Sequence, residues 1–382
     1  MITDALRRHV ALDGSEELLD RDRLSALLER PVVLTALRIK PGESLLVAWK
    51  HEAGLSGHGW AMLVTSDDKL NGIVRRAAKS GGGVVLRPHH GAHLLVGGVD
   101  TDPRLARALA RALRRLDQPF ALEVLRYNPG RRLVVRARGE QFPGAGVVLR
   151  VATKSLDGLR EAERRWAQLG APVVQHARWG RRDTAVVAPF WGIGDLSDIR
   201  DEAAARLCGR TIAQVHEASM TGVAEVHDVP RPPKDLEVVR TLLPGHADLI
   251  DAIAGRLDAA PAQPSSPVAL HGDLSPDQIL TDGHSVRIAD LDRAHVGPAG
   301  LDLGSWSADC RVSGARILEE AFLDGYASVR LVPELAAWRA RALLVSALKP
   351  LRQGSPRWQA EMEDRVRLAA CSLDLDHEGP RA

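Results

Sequence analysis

Residues 268–304 read VALHGDLSPDQILTDGHSVRIADLDRAHVGPAGLDLG, and the reading of the fold turns on them. An apolar run, Val268 to Leu270, leads into His271-Gly272-Asp273 and a short loop ending at Gln278; a second apolar run, Val286 to Ala289, then delivers Asp290 and Asp292. Two short strands with polar loops at their ends would bring two carboxylates and an amide together. Phosphoryl transfer needs that inventory: a carboxylate to orient the attacking hydroxyl and accept its proton, and hard oxygen ligands for Mg²⁺ on the nucleotide phosphates. Aspartates after strands also simply mark turns, but turn chemistry alone does not account for their joint spacing.

Outward from this stretch the two directions differ. From 195 onward the apolar period is mainly helical, over 198–220, 234–258, 313–330, 333–348 and 356–373, with AAPAQPSSP (259–267) as a surface loop. Upstream, VVLRVAT (147–153) reads as a strand, LDGLREAERRWAQLG (156–170) as a helix and TAVVAPF (184–190) as another strand, before a glycine-containing hinge, WGIGDLSD (191–198). At the front, SEELLDRDRLSALLER (15–30) has helical spacing, and DPRLARALARALRRLD (102–117) opens with Asp and Pro in cap and first-turn positions.

Part of the chain repeats. Leu37–Trp49 (LRIKPGESLLVAW) aligns with Leu125–Ala137 (LRYNPGRRLVVRA), Gly57–Thr65 with Gly144–Ala152, and Leu70-Asn-Gly-Ile with Leu156-Asp-Gly-Leu. Three blocks in the same order suggest one hairpin, strand and helix unit used twice. Leu63 then stands where the second copy has Arg150, and no catalytic loop follows the first copy.

HGDLSPDQIL followed by IADLD resembles the aminoglycoside phosphotransferase family, relatives of the protein kinases that phosphorylate hydroxyls of small molecules. The resemblance implies that Asp273 is the catalytic base, His271 the support of its loop, and Asp290 the main Mg²⁺ ligand. Gln278 stands where most of the family has Asn, one methylene longer; maltokinase-like members share the Gln, and it is kept as a metal ligand. Asp292 matches a position often acidic, reaching metal or solvent. Asp302 matches a structural aspartate, and as a residue it reads best as a helix N-cap or turn. The family also needs a cation on a strand for the phosphates, held by a helix carboxylate. Arg150 is the first choice and Lys154 the reserve, since the period of two puts both on one face. Glu163, beside the stripe Leu159, Ala162, Trp166 and Leu169, is the better partner than Glu161, although a solvated surface Glu is nearly as good a reading. Adenine would hang from backbone near Val187 to Phe190, and no GxxxxGK[ST] loop occurs.

The rest of the sequence excludes more than it assigns. Lys plus Arg total 51 and Asp plus Glu 49, a net charge of +2, so there is no global field for nucleic acid. Three scattered cysteines offer neither a disulfide framework nor zinc spacing. The first residues lack an apolar signal core and no run is long enough for a membrane span; a reducing cytoplasm is the expected compartment. His89 and His93 are four apart, but Pro88 and Gly91 indicate a turn, and the arginine runs 111–115 and 131–138 read as solvated faces.

The expectation is therefore an α+β, bilobal protein-kinase-like fold: an N-terminal α/β cap over 1–118 that repeats part of the N-lobe, an ATP-binding N-lobe and hinge over 119–194, and a mainly helical C-lobe over 195–382. Its expected activity is ATP- and Mg²⁺-dependent phosphorylation of a hydroxyl on an aminoglycoside, sugar or amino sugar. Two rivals stay open: a Ser/Thr kinase of a peptide working with a partner protein, and an inactive kinase-shaped binding protein. The cap offers a surface for a protein partner or self-association. Glu319, Glu320, Asp324 and Glu361 to Asp364 would line a cleft for a cationic acceptor only if they face inward.

Overall fold

The computed structural model describes residues 3–52, 54–78, 84–117, 119–219, 226–228, 231–260 and 263–375. The chain forms two units, the first made of Met1–Asp157, His176–Phe190 and Lys349–Gln359, the second of Gly158–Gln175, Trp191–Leu348 and Ala360–Ala382. The segments expected as cap and N-lobe thus share one unit, apart from Gly158–Gln175 and the hinge residues 191–194, which belong to the other.

In the first unit, helices α1 (Asp4–Val10), α2 (Glu16–Leu19) and α3 (Arg21–Leu27) come first. The single helix expected over 15–30 is divided because Asp20 adopts an extended conformation and caps a new start, accepting from the N–H groups of Asp22 and Arg23. Strands β1 (Val33–Lys40), β2 (Ser44–Lys50), β3 (His58–Val64), β4 (Val85–His89) and β5 (Ala92–Gly98) form a sheet ordered β1-β2-β3-β5-β4, with α4 (Asp67–Ala78) after β3 and α5 (Ala106–Leu113) after β5. The next strands, β6 (Phe120–Asn128), β7 (Arg132–Gly139), β8 (Phe142–Ala152), β9 (Ala177–Arg178) and β10 (Ala185–Pro189), form a second sheet ordered β6-β7-β8-β10-β9. The orders are the same. Pairing is the same too: Arg38↔Leu46↔Met62 in the first sheet and Arg126↔Val134↔Arg150 in the second.

This register corrects the alignment read from the letters. Met62, not Leu63, occupies the place of Arg150. The connections differ in length, with seven residues between β2 and β3 but two between β7 and β8, so matching the glycines across them slips the copies by one, which exchanges the two faces of a strand. The helical block slips as well: Leu70 lies within α4, whereas Leu156 precedes α6 (Asp157–Gln168). Counted from the helix starts, the seventh residues are Ile73 and Glu163, both buried. One apolar core, including Leu46, Trp60, Ile73 and Leu95 from the first copy and Leu133, Val135, Leu149 and Val151 from the second, joins the sheets.

The second unit holds α6 from Gly158 onward and then β11 (Gly194–Asp195), α7 (Leu196–Ile199) and α8 (Glu202–Ala218). Further along are a ribbon of β12 (Val226–Asp228) and β13 (Gln263–Ser265), and between them α9 (Leu236–Leu242) and α10 (Ala247–Asp258), separated at Pro244. The ribbon interrupts the expected surface loop 259–267, in which Pro261 and Ala262 lie outside the described residues, as does Met220 of the expected helix 198–220. Strands β14 (Val268–Leu270), β15 (Ile279–Thr281), β16 (Val286–Ile288) and β17 (His295–Gly297) come next; β15 pairs with β11 and β16, and β14 with β17. Helices α11 (Gly300–Val312), α12 (Arg316–Ala327) and α13 (Ala336–Ser346) complete the bundle, α14 (Lys349–Arg352) lies in the first unit, and α15 (Trp358–Ser372) ends the fold. Trp306 stacks on Phe322 at 4.3 Å between centroids. Helices α8 and α12 approach so closely that a Cβ on Gly209 would lie 1.9 Å from the Phe322 carbonyl oxygen, so only glycine fits there.

Candidate active site

The loops after β14 and β16 meet through one residue. Ala289 donates its N–H to the Gln278 carbonyl at 2.9 Å, and its own carbonyl accepts from His271 Nε2 at 2.8 Å. Asp290 is the next residue, so the backbone that delivers it is tied to both ends of the loop carrying Asp273. His271 is fully buried, with the Trp166 ring edge-on at 6.0 Å. Bonding to a carbonyl fixes Nε2 as its protonated nitrogen, which suits a positioning role.

A second crossing lies at Gly272. Its φ is +78°, and a Cβ there would fall 2.3 Å from the Arg293 carbonyl oxygen and 2.9 Å from His295 Nδ1. Glycine alone allows both the left-handed turn and the close approach. Asp290 also has a positive φ, 58°, a conformation that costs a non-glycine residue about 1 kcal/mol or more and that turns the chain sharply out of β16.

Beneath the loop sits Asp302, the third residue of α11 and fully buried. Its carboxylate accepts from the N–H of His271 at 2.7 Å and of Gly272 at 2.9 Å. The reading of Asp302 as an N-cap or turn residue is therefore corrected: it anchors the catalytic-type loop from below. His216 Nε2 lies 3.6 Å from Asp302 Oδ2, an electrostatic contact too long for a hydrogen bond, and His216 Nδ1 meets the Tyr326 hydroxyl at 3.0 Å. Burial opposes the charge on Asp302, but His216, His271 and the Gly272 N–H outweigh it and hold its carboxyl below the ordinary range. For Asp302 the family resemblance carries the signal of a structural role, which the residue-level reading sets aside; His216 carries none in the sequence, since its place depends on which groups become enclosed.

Around this frame, Asp273 is half exposed and its Oδ1 receives Arg293 at 3.2 Å, a partner with no signal in the sequence. Gln278 is buried at the end of its turn, Asp290 is partly buried, and Asp292 is exposed. The donor set is all oxygen, two carboxylates and an amide on adjacent loop ends, which fits a hard cation such as Mg²⁺ better than a thiophilic metal.

The remaining candidates are distributed. Arg150 is buried in β8 and Glu163 is buried on α6 with Leu159 and Trp166. Glu161 is exposed and paired with Arg164. Lys154 lies beyond the end of β8 and is exposed, so strand alternation does not extend to it. Val187 sits inside the ladder between β8 and β9, and the Phe190 N–H is already donated to Gly146 O at 2.9 Å; this segment therefore cannot offer Phe190 N–H to a purine. Of the histidine pair, His93 faces Asp67 at 2.9 Å while His89 contacts Gly14 O at 3.3 Å, so the two do not share a metal. Of the acidic residues that would serve a cationic acceptor only if they face inward, two are engaged by arginines: Glu319 is enclosed by Arg311 and Arg339, and Asp324 pairs with Arg206 at 3.0 Å. Among the described residues, no helix is long and apolar enough to cross a membrane.

Comparison with known proteins agrees with this geometry. The model of the phosphotransferase enzyme family, APH, matches residues 146–344, just over half of the chain. No curated protein sequence matches. Among solved structures, spectinomycin phosphotransferase APH(9)-Ia in complex with ADP and spectinomycin is similar at 13% identity and a TM-score of 0.50, over 67% of this chain and 94% of the other. A thermostable mutant of aminoglycoside phosphotransferase APH(4)-Ia, in a ternary complex with AMP-PNP and hygromycin B, is similar at 15% identity and a TM-score of 0.50, over 69% and 98%. The fold is kinase-like, and the chain belongs to the phosphotransferase enzyme family.

Proposed function

We propose that this protein transfers the γ-phosphoryl group of ATP to a hydroxyl of a small molecule, with Mg²⁺ at the carboxylate and amide oxygens of Asp290, Gln278 and Asp292. The observation that carries the reading is the double bonding of Ala289 to Gln278 and His271, which holds the Asp273 loop against the segment of Asp290. Asp273 orients the acceptor hydroxyl and takes its proton as that oxygen attacks the γ-phosphorus; the bond from phosphorus to the bridging oxygen breaks and ADP leaves. His271 and Asp302 keep the Asp273 backbone in place. Bound metal supplies positive charge to the phosphate oxygens, which a chain of net charge +2 supplies only locally. Arg150 is the proposed phosphate cation, with Lys154 as the alternative, and Glu163 is the carboxylate proposed to serve it. Adenine is proposed to lie near Val187 and Phe190 through contacts other than the Phe190 N–H, which Gly146 O already accepts.

Glu319 and Asp324 are occupied by arginines, which favours a neutral, hydroxyl-rich acceptor over a polycation. The test is ADP release with ATP and Mg²⁺ across neutral sugars, amino sugars, aminoglycosides and Ser/Thr peptides. Turnover with a sugar, lost with EDTA, is expected; turnover confined to aminoglycosides would replace the neutral acceptor. Metal-independent release, or equal turnover by Asp273→Asn, would remove the mechanism.

A further inference from the structure

The first unit contains a cavity of about 650 Å³, within the roughly 300–1,000 Å³ usual for small-ligand pockets. None of its lining residues belongs to the loops of the candidate active site. Among the described residues six cations line it: Arg38 and Lys40 on β1, Lys69 and Arg76 on α4, and Arg104 and Arg107 around the start of α5. The period of two on β1 and the spacing of seven on α4 place each pair on one face, so the cluster is built by three elements and not by a basic run.

The protein neutralises this wall only in part. Asp102 is the one carboxylate among the described lining residues, and it is fully enclosed. Its Oδ1 accepts from the N–H groups of Arg104 and Leu105, its Oδ2 from the Tyr127 hydroxyl and the Gly130 N–H. Exposed Glu43 reaches Lys40 at 3.3 Å and Lys69 at 3.9 Å from outside the lining. Arg76, Arg104 and Arg107 pair with no described carboxylate. Burial, then Arg131 and Arg104, lowers the pKa of Arg38, and burial with Lys40 lowers that of Lys69. Leu46, Trp60, Met62 and Ile73 also line the cavity, and the Trp60 indole N–H has no acceptor among the described residues.

The position of the cavity is informative. Met62 occupies the register of Arg150, and Lys69, Ile73 and Arg76 are the third, seventh and tenth residues of α4, as Leu159, Glu163 and Trp166 are of α6. The cavity therefore lies on the strand face and helix stripe that in the second copy carry the proposed phosphate cation and its carboxylate. In the first copy both are apolar, and positive charge comes instead from the rim of β1, α4 and α5.

We propose that this cavity binds a phosphorylated small molecule, its phosphate held by the arginines and lysines and its compact apolar part against Trp60, Met62 and Ile73. Guanidinium groups, four of the six cations, match phosphate oxygens in pairs and are less strongly hydrated than ammonium groups. The inference stands on the cavity and its charges, independently of the kinase reading.

Isothermal titration of the full chain in EDTA, with pyrophosphate, phenyl phosphate, inorganic phosphate, citrate and benzyl alcohol as probes, tests it. Pyrophosphate and phenyl phosphate are expected to bind saturably, phenyl phosphate more tightly than inorganic phosphate, with citrate weaker and benzyl alcohol silent. Affinity should fall about tenfold or more in Arg104→Gln/Arg107→Gln and in Lys69→Met, and should be unchanged in Asp290→Asn, which separates this cavity from the catalytic loops. Both cavity variants remove like charge, so their unfolding temperature without ligand should equal or exceed that of the parent. Lack of saturable phosphate binding by the parent, equal binding by both cavity variants, or loss of binding in Asp290→Asn would each overturn the proposal. Tighter binding of citrate than of phenyl phosphate would overturn the phosphate assignment.

Discussion

The two five-stranded sheets have the same strand order and pairing register but are equipped for different tasks. The second carries Arg150 on β8 and is followed by a helix with buried Glu163; the first carries Met62 and Ile73 at those places, around a basic cavity. Backbone architecture therefore does not by itself assign a role here; in the proposed function, two side chains per copy and the segment downstream of each copy do so.

The largest expected effect concerns that downstream segment. Asp273→Asn keeps the size of the side chain but removes the proton acceptor, and turnover should fall about 10³-fold with nucleotide affinity retained in equilibrium binding. Only the second copy is succeeded by such a loop, so residual turnover near that of the parent would place the chemistry elsewhere. Exchanging side chains between copies is the next test. Arg150→Met should lower kcat/KM for ATP about 10²-fold, whereas Met62→Arg, its register counterpart, should leave ATP kinetics unchanged. Equal effects would mean that the copies share one nucleotide role.

Much of this division was legible in the sequence, because the segment 268–304 is contiguous and its motif survives as a string. The duplication was also legible, but only to within one residue: connections of unequal length hid the register, and with it the equivalence of Met62 and Arg150. The features that stayed hidden depend on assembly. Asp302 looked like a cap because its two backbone partners lie thirty residues earlier in the chain. The six cations of the cavity escaped a search for basic runs since no two are adjacent, while the more obvious runs, 111–115 and 131–138, contribute nothing to its lining.

Two buried aspartates extend the comparison to stability. Asp102 anchors the Pro129-Gly130 hairpin of the first unit, and Asp302 anchors the His271-Gly272 turn of the second. Asp302→Asn replaces one acceptor oxygen by a donor facing an N–H, and should cost about 2 kcal/mol in urea unfolding near neutral pH. Since the folded-state pKa of Asp302 is depressed, its contribution is present above the ordinary carboxylate range and lost as pH falls through the folded value. The difference between parent and variant should hence shrink below about pH 4. A constant difference down to acid pH would show that Asp302 contributes packing and not charge.

The smallest effect concerns Arg293, which contacts Asp273 at 3.2 Å with both side chains substantially exposed. An exposed pair of this kind is worth little to stability, so Arg293→Gln should unfold with the parent in urea. Its effect should appear instead in turnover, which should drop by no more than about fivefold near neutral pH with nucleotide affinity unchanged in equilibrium binding. Such a drop with unchanged stability would place Arg293 as a partner that orients the Asp273 carboxylate, a group that the first copy has no loop to accommodate; full turnover by Arg293→Gln would leave Asp273 positioned by its backbone anchors alone.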